Sequence, residues 1–255
     1  MPRVARKRSR TGIYHVMLRG VNRQQIFFDE EDNSCFIGLL GHYKKKFCFK
    51  LYGYCLMGNH VHLLIQEGPQ PIASIFKGLG TAFVYWYNSK YERTGHLFQD
   101  RFKSEPVNNQ GYFLTALRYI LQNPVAAGFC SSPEKYPYSS AQEYLVQKHG
   151  ITDTDFAMTM VCSPDNPAAL QQFICARNDD KCLDIDEKPR KRCTDEKAVK
   201  LILEEFGSIS PSPGKPQERD AFNRSLKRVI GAGVSIRQLS RLTGLSKKVI
   251  ESGLK

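Results

Sequence analysis

The sequence predicts an α+β fold with one antiparallel sheet, followed by a small all-α module that contains a helix-turn-helix. Segments of alternating apolar and polar residues recur along the first half of the chain, and segments with helical periodicity separate them. Residues 221–255 carry helical patterns alone. A chain of 255 residues is long enough for one large domain or two smaller ones.

Seven elements follow one another in the order β-α-β-β-α-β-α, which is typical of a ferredoxin-like split βαβ sheet with an added helix. Asp29 can cap the first helix, Met57-Gly58-Asn59 suits the turn of a hairpin, and Pro124 is expected to end the last helix. This topology makes the third strand internal, with the added helix covering one of its faces. The predicted strands are residues 12–21, 50–57, 60–66 and 95–107, and the predicted helices are 29–47, 72–92 and 110–123.

The formal charge of +12 is unevenly distributed along the chain. Residues 1–150 carry +9, residues 151–220 carry −4 and residues 221–255 carry +7. Two basic segments joined by an acidic connector indicate two surfaces that bind a polyanion, and nucleic acid is the expected partner. The predicted parts are a first domain at 1–149, an acidic and irregular connector at 150–193 with one helix near 166–176, and a helical module at 194–255.

The composition excludes several other classes of protein. The eight cysteines form no C-x-x-C pair, which indicates a reducing compartment and argues against a zinc site. No stretch approaches the ~20 apolar residues that a membrane span needs, and no apolar segment of a signal peptide follows the basic N-terminus. We therefore expect a cytoplasmic protein without membrane contact.

The segment MGNHVHLLI at 57–65 places two histidines inside a predicted strand. Because side chains alternate between the faces of a strand, Val61 and Leu63 share an apolar face, whereas His60 and His62 share the other face. Two imidazoles a few Å apart can bind one metal ion or donate to one phosphate. The alternative is that both are half-buried polar residues of a sheet with one solvated face.

The helix predicted at 110–123 carries a tyrosine on its polar side. Phe113 and Leu117 belong to an apolar stripe of normal width, whereas Tyr119 lies on the opposite side, with Asn123 one turn later. The alternative is an exposed tyrosine on a solvated helix face. If the helix packs beside the sheet, its polar face can point toward the two histidines.

Together these residues suggest a reaction on DNA. Two imidazoles and one amide oxygen can hold a divalent ion such as Mg²⁺ or Mn²⁺. Such an ion would bind a phosphate oxygen and stabilise the charge of an in-line displacement. The hydroxyl of Tyr119 would be the nucleophile and would form a phosphotyrosine link.

Three segments in this order, MGNHVHLLI, GHLFQDRFKS and LRYILQNPV, resemble motifs of the single-tyrosine HUH transposases. Within that family the chain is most similar to the REP-associated tyrosine transposases of bacteria, over residues 10–145. The resemblance implies cleavage and rejoining of single-stranded DNA at folded repeat hairpins, through a covalent 5′-phosphotyrosine intermediate and a free 3′-OH. It also implies a bacterial, nucleoid-associated protein that acts as a monomer or homodimer.

The resemblance also implies the roles of individual residues. His60 and His62 match the histidine pair of the family, and both would be metal ligands. Tyr119 matches the nucleophilic tyrosine. The third metal ligand of the family lies one helical turn after the tyrosine, where this chain has Asn123, and Gln122 is a neighbouring alternative.

The end of the chain, SIRQLSRLTGLSKKVIES at 235–252, has the pattern of a helix-turn-helix. Ser235 and Gln238 form a capping-box pattern, and Lys247 and Lys248 lie at the start of the second helix, where a recognition helix meets DNA. The alternative is an αα-hairpin with basic edges. A module of this kind would add affinity for duplex DNA or a choice of site.

Basic residues in three places are candidate contacts to the DNA backbone on the basis of charge alone. Each of them could instead be an ordinary surface cation. The candidates are Arg3, Arg6, Lys7, Arg8 and Arg10 near the N-terminus, Arg101 and Lys103 on the predicted fourth strand, and Lys247 and Lys248 in the helical module.

The sequence thus predicts a metal-dependent, transposase-like endonuclease with a tyrosine nucleophile. The first alternative is a catalytically inactive regulator that binds repeat sequences through the helix-turn-helix. The presence of His60, His62 and Tyr119 together favours the enzyme. A replication or relaxase-type nickase is a third possibility, which the short chain without a helicase segment disfavours.

Overall fold

The computed structural model describes residues 6–161, 168–176, 182, 194–212 and 219–254. The chain divides into two compact units, residues 1–183 and residues 184–255. Among the described residues, no helix is both long enough and apolar enough to cross a bilayer.

The first unit contains four strands and six α-helices in its described part. The strands are β1 (Ile13–Arg19), β2 (Lys50–Met57), β3 (His60–Gln66) and β4 (Lys103–Val107). The helices are α1 (Glu30–Phe47), α2 (Ile72–Lys90), α3 (Gln110–Ala126), α4 (Ala141–Leu145), α5 (Asp155–Val161) and α6 (Ala169–Cys175).

The four strands form one sheet in the order β2-β3-β1-β4, and every neighbouring pair is antiparallel. This is the ferredoxin-like order, so the predicted fold class is confirmed. Helices α1 and α2 contribute to the apolar core on one face of the sheet, and α3 contributes to the core on the other face. The histidine strand β3 is internal, as predicted, and α3 contacts it.

The predicted start of α1 is also confirmed. The Asp29 side chain accepts a hydrogen bond from the backbone N–H of Asp32, and the Asp32 side chain accepts one from the N–H of Asp29. This reciprocal pair is a complete capping box, with aspartate in place of the usual glutamate or glutamine. The buried Asp32 carboxylate also accepts from Lys90 and Tyr91 at the end of α2, and so ties the two helices together.

The fourth strand is shorter than predicted, since β4 begins at Lys103 rather than near residue 95. Within residues 95–102, Leu97 and Phe102 are buried in the core next to α2. Phe98 makes only an isolated bridge to Gly20. The alternating pattern of residues 95–102 therefore reflects the burial of individual side chains in a connecting segment. It does not reflect continuous strand pairing.

Helix α3 also differs from the prediction, because it continues through Pro124 to Ala126. A proline inside a helix removes the hydrogen bond to the carbonyl four residues earlier. Here the Pro124 ring is buried, and the helix closes beyond it with a hydrogen bond from the N–H of Ala127 to the carbonyl of Asn123. Burial of the ring offsets the loss of one hydrogen bond.

The predicted acidic connector is wrong for the described part of residues 150–183, which belongs to the first unit. Ala157 of α5 and Leu170 of α6 are buried in the same core as α3. Asp153 accepts a hydrogen bond from the N–H of Leu51 and pairs with Lys44 at 2.8 Å. The net negative charge of this range predicted a linker. In the structure the acidic residue Asp153 binds the sheet and α1, and the apolar residues Ala157 and Leu170 pack in the core.

The second unit has four helices in its described part and an apolar core of its own. The helices are α7 (Asp195–Phe206), α8 (Arg219–Gly231), α9 (Ile236–Thr243) and α10 (Lys247–Gly253). Gly244 adopts the left-handed conformation that turns the chain between α9 and α10, with φ of +75°. The core residues are Ala198, Ile202, Phe222, Leu226, Val229, Val234, Leu239 and Ile250.

The cap predicted at the start of α9 is present at Ser235, whose side chain accepts from the backbone N–H of Gln238. The Gln238 side chain also donates to Asp195 of α7 at 2.8 Å, and Arg241 pairs with the same carboxylate at 2.7 Å. These two contacts join α9 to α7.

Two glycine-to-alanine changes test the packing of the first unit. A Cβ on Gly20 would overlap the carbonyl oxygen of Gln24, whereas a Cβ on Gly38, exposed in α1, would meet no atom within 4 Å. We expect Gly20→Ala to lower the free energy of unfolding by about 1–3 kcal/mol, and Gly38→Ala to raise it by about 0.5–1 kcal/mol. Urea unfolding followed by the fluorescence of Trp86, the chain's only tryptophan, measures both. Shifts of the same sign and size would contradict this packing.

Candidate active site

Strand β3 presents the two predicted histidines to the helix α3 side of the sheet. Val61 and Leu63 pack in the core with α1 and α2, whereas Leu64 packs in the core with α3. Alternation along the strand therefore directs His60 and His62 to the α3 side. Both side chains are buried, so they are not residues of a solvated sheet face.

A third histidine, which the sequence analysis did not select, lies beside them on β1. The His15 Nε2 atom is 2.9 Å from the Nδ1 atom of His62, and both residues are fully buried. His15 follows Tyr14 and precedes Val16 in an alternating strand, so the sequence already placed it on the face opposite the apolar residues. The register between β1 and β3, which brings His15 beside His62, was the missing information, because the two strands are 40 residues apart in sequence.

Helix α3 brings Tyr119 against the same histidines. The Tyr119 ring centroid is 5.6 Å from that of His62 and 5.9 Å from that of His15, and both contacts are edge-on. The His60 and His62 ring centroids are 5.0 Å apart. Tyr119 is half-buried. The structure thus gathers Tyr119, His60 and His62 into one cluster, as the polar side of the predicted helix suggested.

His15 and His62, two of the three buried histidines, are held in their uncharged form. Burial lowers the pKa of His15 to about 3. Burial, followed by the neighbouring His15 and His60, holds the pKa of His62 well below its ordinary value. Neutral imidazole is the form that binds metal ions, so His62 is ready to act as a ligand at neutral pH.

The donor atoms of the cluster fit a divalent cation. His62 Nε2 is buried and has no hydrogen-bond partner in the described parts of the chain. His60 Nδ1 lies 2.6 Å from Asn59 Oδ1; an amide oxygen only accepts, so the hydrogen is on Nδ1 and the lone pair of His60 is on Nε2. Across the described residues, no three His, Cys, Asp or Glu side chains form a metal-binding group. A cation here would need an amide or hydroxyl as its third protein ligand.

The two candidates for a third ligand lie in different surroundings. The Gln122 side-chain amide donates to the carbonyl groups of Ile174 and Ala176 at the end of α6. Asn123 is half-buried, one turn of α3 after Tyr119. Because Gln122 is engaged by α6, Asn123 is the better candidate.

The predicted DNA-contacting residues of the first unit fall into three groups. The Arg6 guanidinium lies over the Phe102 ring, 3.7 Å from its centroid, and donates to the Phe102 carbonyl, so it is partly committed to packing. Lys103 begins β4 and is exposed. It pairs with Met17 of β1, and Met17 pairs with His62 of β3, so the side chains of Lys103 and His62 lie on the same face of the sheet. The other described residues, Lys7, Arg8, Arg10 and Arg101, are exposed, and Arg3 lies outside the described residues.

In the second unit, Lys247 and Lys248 occupy the first turn of α10 and are exposed. Ser246 caps this helix by accepting from the backbone N–H of Val249. Both lysines therefore stand at the helix start where the sequence predicted them.

Residues 9–123 match a protein family described as "Transposase IS200 like". The chain is therefore similar to IS200-like transposases over this range, which is less than half of its length. The matched range includes β1, β3 and α3 up to Asn123, and thus the whole histidine and tyrosine cluster. The predicted resemblance is confirmed, and the family match supports a transposase-like, DNA-processing role.

Two solved structures align with parts of the chain. The structure of a REP-associated tyrosine transposase bound to a REP hairpin aligns with a TM-score of 0.50 and 16% identity, covering 60% of this chain and 94% of that chain. A putative transposase from Deinococcus radiodurans R1 aligns with a TM-score of 0.34 and 20% identity, covering 44% of this chain and 90% of that chain. No curated protein sequence matches the chain.

Proposed function

We propose that this chain cleaves and rejoins single-stranded DNA at folded repeat hairpins, with Tyr119 as the nucleophile. The observation that carries the proposal is the edge-on contact of the Tyr119 ring with the buried His62, next to His60. A tyrosine ring packed against one imidazole, with a second imidazole beside that one, can bring a phenol hydroxyl to a metal-assisted attack on phosphate. Incubation of the full chain with single-stranded repeat DNA and Mg²⁺ tests it, through a covalent protein–DNA adduct on a denaturing gel.

The proposed cation site consists of His60, His62 and Asn123. A bound Mg²⁺ or Mn²⁺ ion would supply Lewis-acid stabilisation of the phosphate charge. The chain itself supplies the imidazole nitrogens and the buried side chains behind them. Gln122 is not part of the proposed site, because its amide is bound to the end of α6.

The reaction is an in-line exchange of one phosphate ester for another. The Tyr119 oxygen loses its proton and forms a bond to the phosphorus, while the bond from phosphorus to the DNA 3′ oxygen breaks. The departing oxygen takes up a proton and becomes a free 3′-OH, and the 5′ side remains on the enzyme as phosphotyrosine. Attack by a 3′-OH on this ester reverses the step and rejoins the strand.

Exposed cations support DNA binding around this site. Lys103 extends from the same face of the sheet as His62, separated from it only by Met17 of β1. Neighbouring strands are about 4.8 Å apart, so Lys103 is about 10 Å across the sheet from the His62 backbone, a distance suited to a neighbouring phosphate. The exposed Arg8 and Arg10 precede β1.

We also propose that the second unit binds duplex DNA through the start of α10. Its support is the pair of short helices joined at Gly244, an independent apolar core, and the basic charge of residues 221–255. A recognition helix presents its first turn to the major groove. Lys247 and Lys248 would then meet phosphates or base edges.

A double substitution tests the second unit separately. We expect Lys247→Ala with Lys248→Ala to weaken duplex binding and to reduce the slope of log K against log salt by about 2, since each lost phosphate contact removes about 0.9. Cleavage of single-stranded hairpin DNA should stay within about twofold. Fluorescence anisotropy at several salt concentrations measures the slope.

The matched control for this experiment is Lys197→Ala with Lys200→Ala, which removes two exposed lysines from α7 of the same unit. Equal loss of duplex binding in both double variants would mean that general positive charge, and not the start of α10, carries the binding.

A further inference from the structure

Both proposed histidine ligands have their Nδ1 atom held by another side chain. His60 Nδ1 is 2.6 Å from Asn59 Oδ1, and His62 Nδ1 is 2.9 Å from His15 Nε2. A neutral imidazole carries one hydrogen and one lone pair, on different nitrogens. The side chain that fixes the hydrogen or lone pair on Nδ1 therefore also fixes the state of Nε2, the nitrogen that is proposed to bind the cation.

We propose that His15 and Asn59 are positioning residues that hold His62 and His60 with the hydrogen on Nδ1 and the lone pair on Nε2. This inference deepens the proposed function and rests on its assignment of the two histidines as ligands. Neither positioning residue would touch the cation or the DNA. Their effect would be to orient the imidazole rings and to select one tautomer, as partners behind metal-binding histidines commonly do.

The direction of the His15–His62 hydrogen bond decides whether His62 can be a ligand. If His15 donated, the hydrogen of His62 would lie on Nε2 and would block a cation. If His62 donates, its Nε2 lone pair is available at a buried position that otherwise has no partner in the described residues. In that arrangement the hydrogen of His15 lies on Nδ1, which is buried and has no hydrogen-bond partner in the described residues.

The orientation of Asn59 is fixed by its other contact. The Asn59 side-chain nitrogen donates to the Arg23 carbonyl at 3.3 Å, so the side-chain oxygen faces His60. Arg23 belongs to a tight loop in which its own φ is +62° and that of Asn22 is +52°. The backbone N–H of Gly20 donates to the Asn59 carbonyl at 2.9 Å and fixes the turn before β3.

The direct test is the tautomeric state of the histidines in the full chain without metal. Two-bond ¹H–¹⁵N correlation spectra of ¹⁵N-histidine-labelled protein separate the two tautomers. We expect His60 and His62 in the Nδ1–H form. Finding His62 in the Nε2–H form in the parent protein would overturn the role given to His15, even before any variant is made.

Variants of His15 supply the second test. His15→Gln keeps an acceptor oxygen, whereas His15→Leu removes it, and Met17→Leu is a matched apolar change beside His62 on the same face. We expect His15→Leu to mix the His62 tautomers and to weaken Mn²⁺ binding about 10–100-fold. His15→Gln and Met17→Leu should stay within about threefold of the parent. Titration of Mn²⁺ followed by electron paramagnetic resonance, without DNA, measures the affinity.

The corresponding pair for His60 is Asn59→Asp, which keeps an acceptor, and Asn59→Ala, which removes it. A loss of Mn²⁺ affinity in the alanine variant alone is expected. If His15→Leu and Asn59→Ala bind Mn²⁺ as tightly as the parent, the inference is overturned. If the tautomers and Mn²⁺ binding behave as expected but no DNA adduct forms, the proposed function fails and the positioning roles stand.

Discussion

Replacing Tyr119 with phenylalanine is expected to abolish the covalent protein–DNA adduct and to lower strand cleavage by at least about 1,000-fold. The change removes one hydroxyl, and a rate loss of this size corresponds to about 4 kcal/mol in the activation free energy. The ring contacts with His62 and His15 should persist, because phenylalanine retains the aromatic ring. Hairpin binding should therefore stay within about twofold of the parent.

The matched control is Tyr112→Phe on the same helix. Tyr112 is half-buried like Tyr119, but its hydroxyl donates to Glu105, and the proposal gives it no part in the reaction. Both variants are compared on a denaturing gel with a 5′-labelled and a 3′-labelled hairpin strand and Mg²⁺. Cleavage at parental rate by Tyr119→Phe would exclude Tyr119 as the nucleophile, whereas binding without cleavage by the parent itself would favour the repeat-binding regulator.

The second large effect is expected at the cation site. Removal of divalent ions with EDTA should stop cleavage, and added Mg²⁺ or Mn²⁺ should restore it, because the phosphate charge would otherwise lack its electrostatic partner. His62→Gln, which keeps a side chain of similar length, should lower cleavage about 100-fold or more, or about 2.7 kcal/mol. A higher Mn²⁺ concentration should recover part of the loss.

His42→Gln is the control for this substitution, since His42 is exposed on α1, on the other side of the sheet. Rates are measured as initial cleavage rates over a range of Mn²⁺ concentrations. Cleavage that persists in EDTA at the rate seen with Mg²⁺ would contradict a cation-assisted reaction, and an unchanged Mn²⁺ dependence in His62→Gln would remove His62 from the ligand set.

Local patterns in the sequence were sufficient to predict the strands, the turn and the helix that position the site. The alternation in β3, the turn Met57-Gly58-Asn59 and the stripe of α3 each follow from the neighbouring residues alone. The order of the elements then restricted the topology to one with the histidine strand inside the sheet. Tyr119 could be selected because its position on the helix was opposite to the apolar stripe.

The features that the sequence analysis missed depend on contacts between distant segments. The contact of His15 with His62 depends on the register between β1 and β3, and the patterns of the two strands do not give that register. The packing of α5 and α6 against α3 was hidden by the net charge of residues 150–183, since Asp153 binds Lys44 and the N–H of Leu51. In the same way, the burial of Leu97 in the segment before β4 produced a sequence pattern that is typical of a strand.

The most direct measurement of the central claim is the site of the covalent link. The parent protein is incubated with the hairpin strand and Mg²⁺, digested with trypsin and nuclease, and studied by mass spectrometry. We predict a 5′-phosphate-linked nucleotide on the peptide of residues 119–135, in which Tyr119 is the only tyrosine. A nucleotide attached to any other residue, or complete cleavage of the DNA without a linked peptide, would contradict the mechanism.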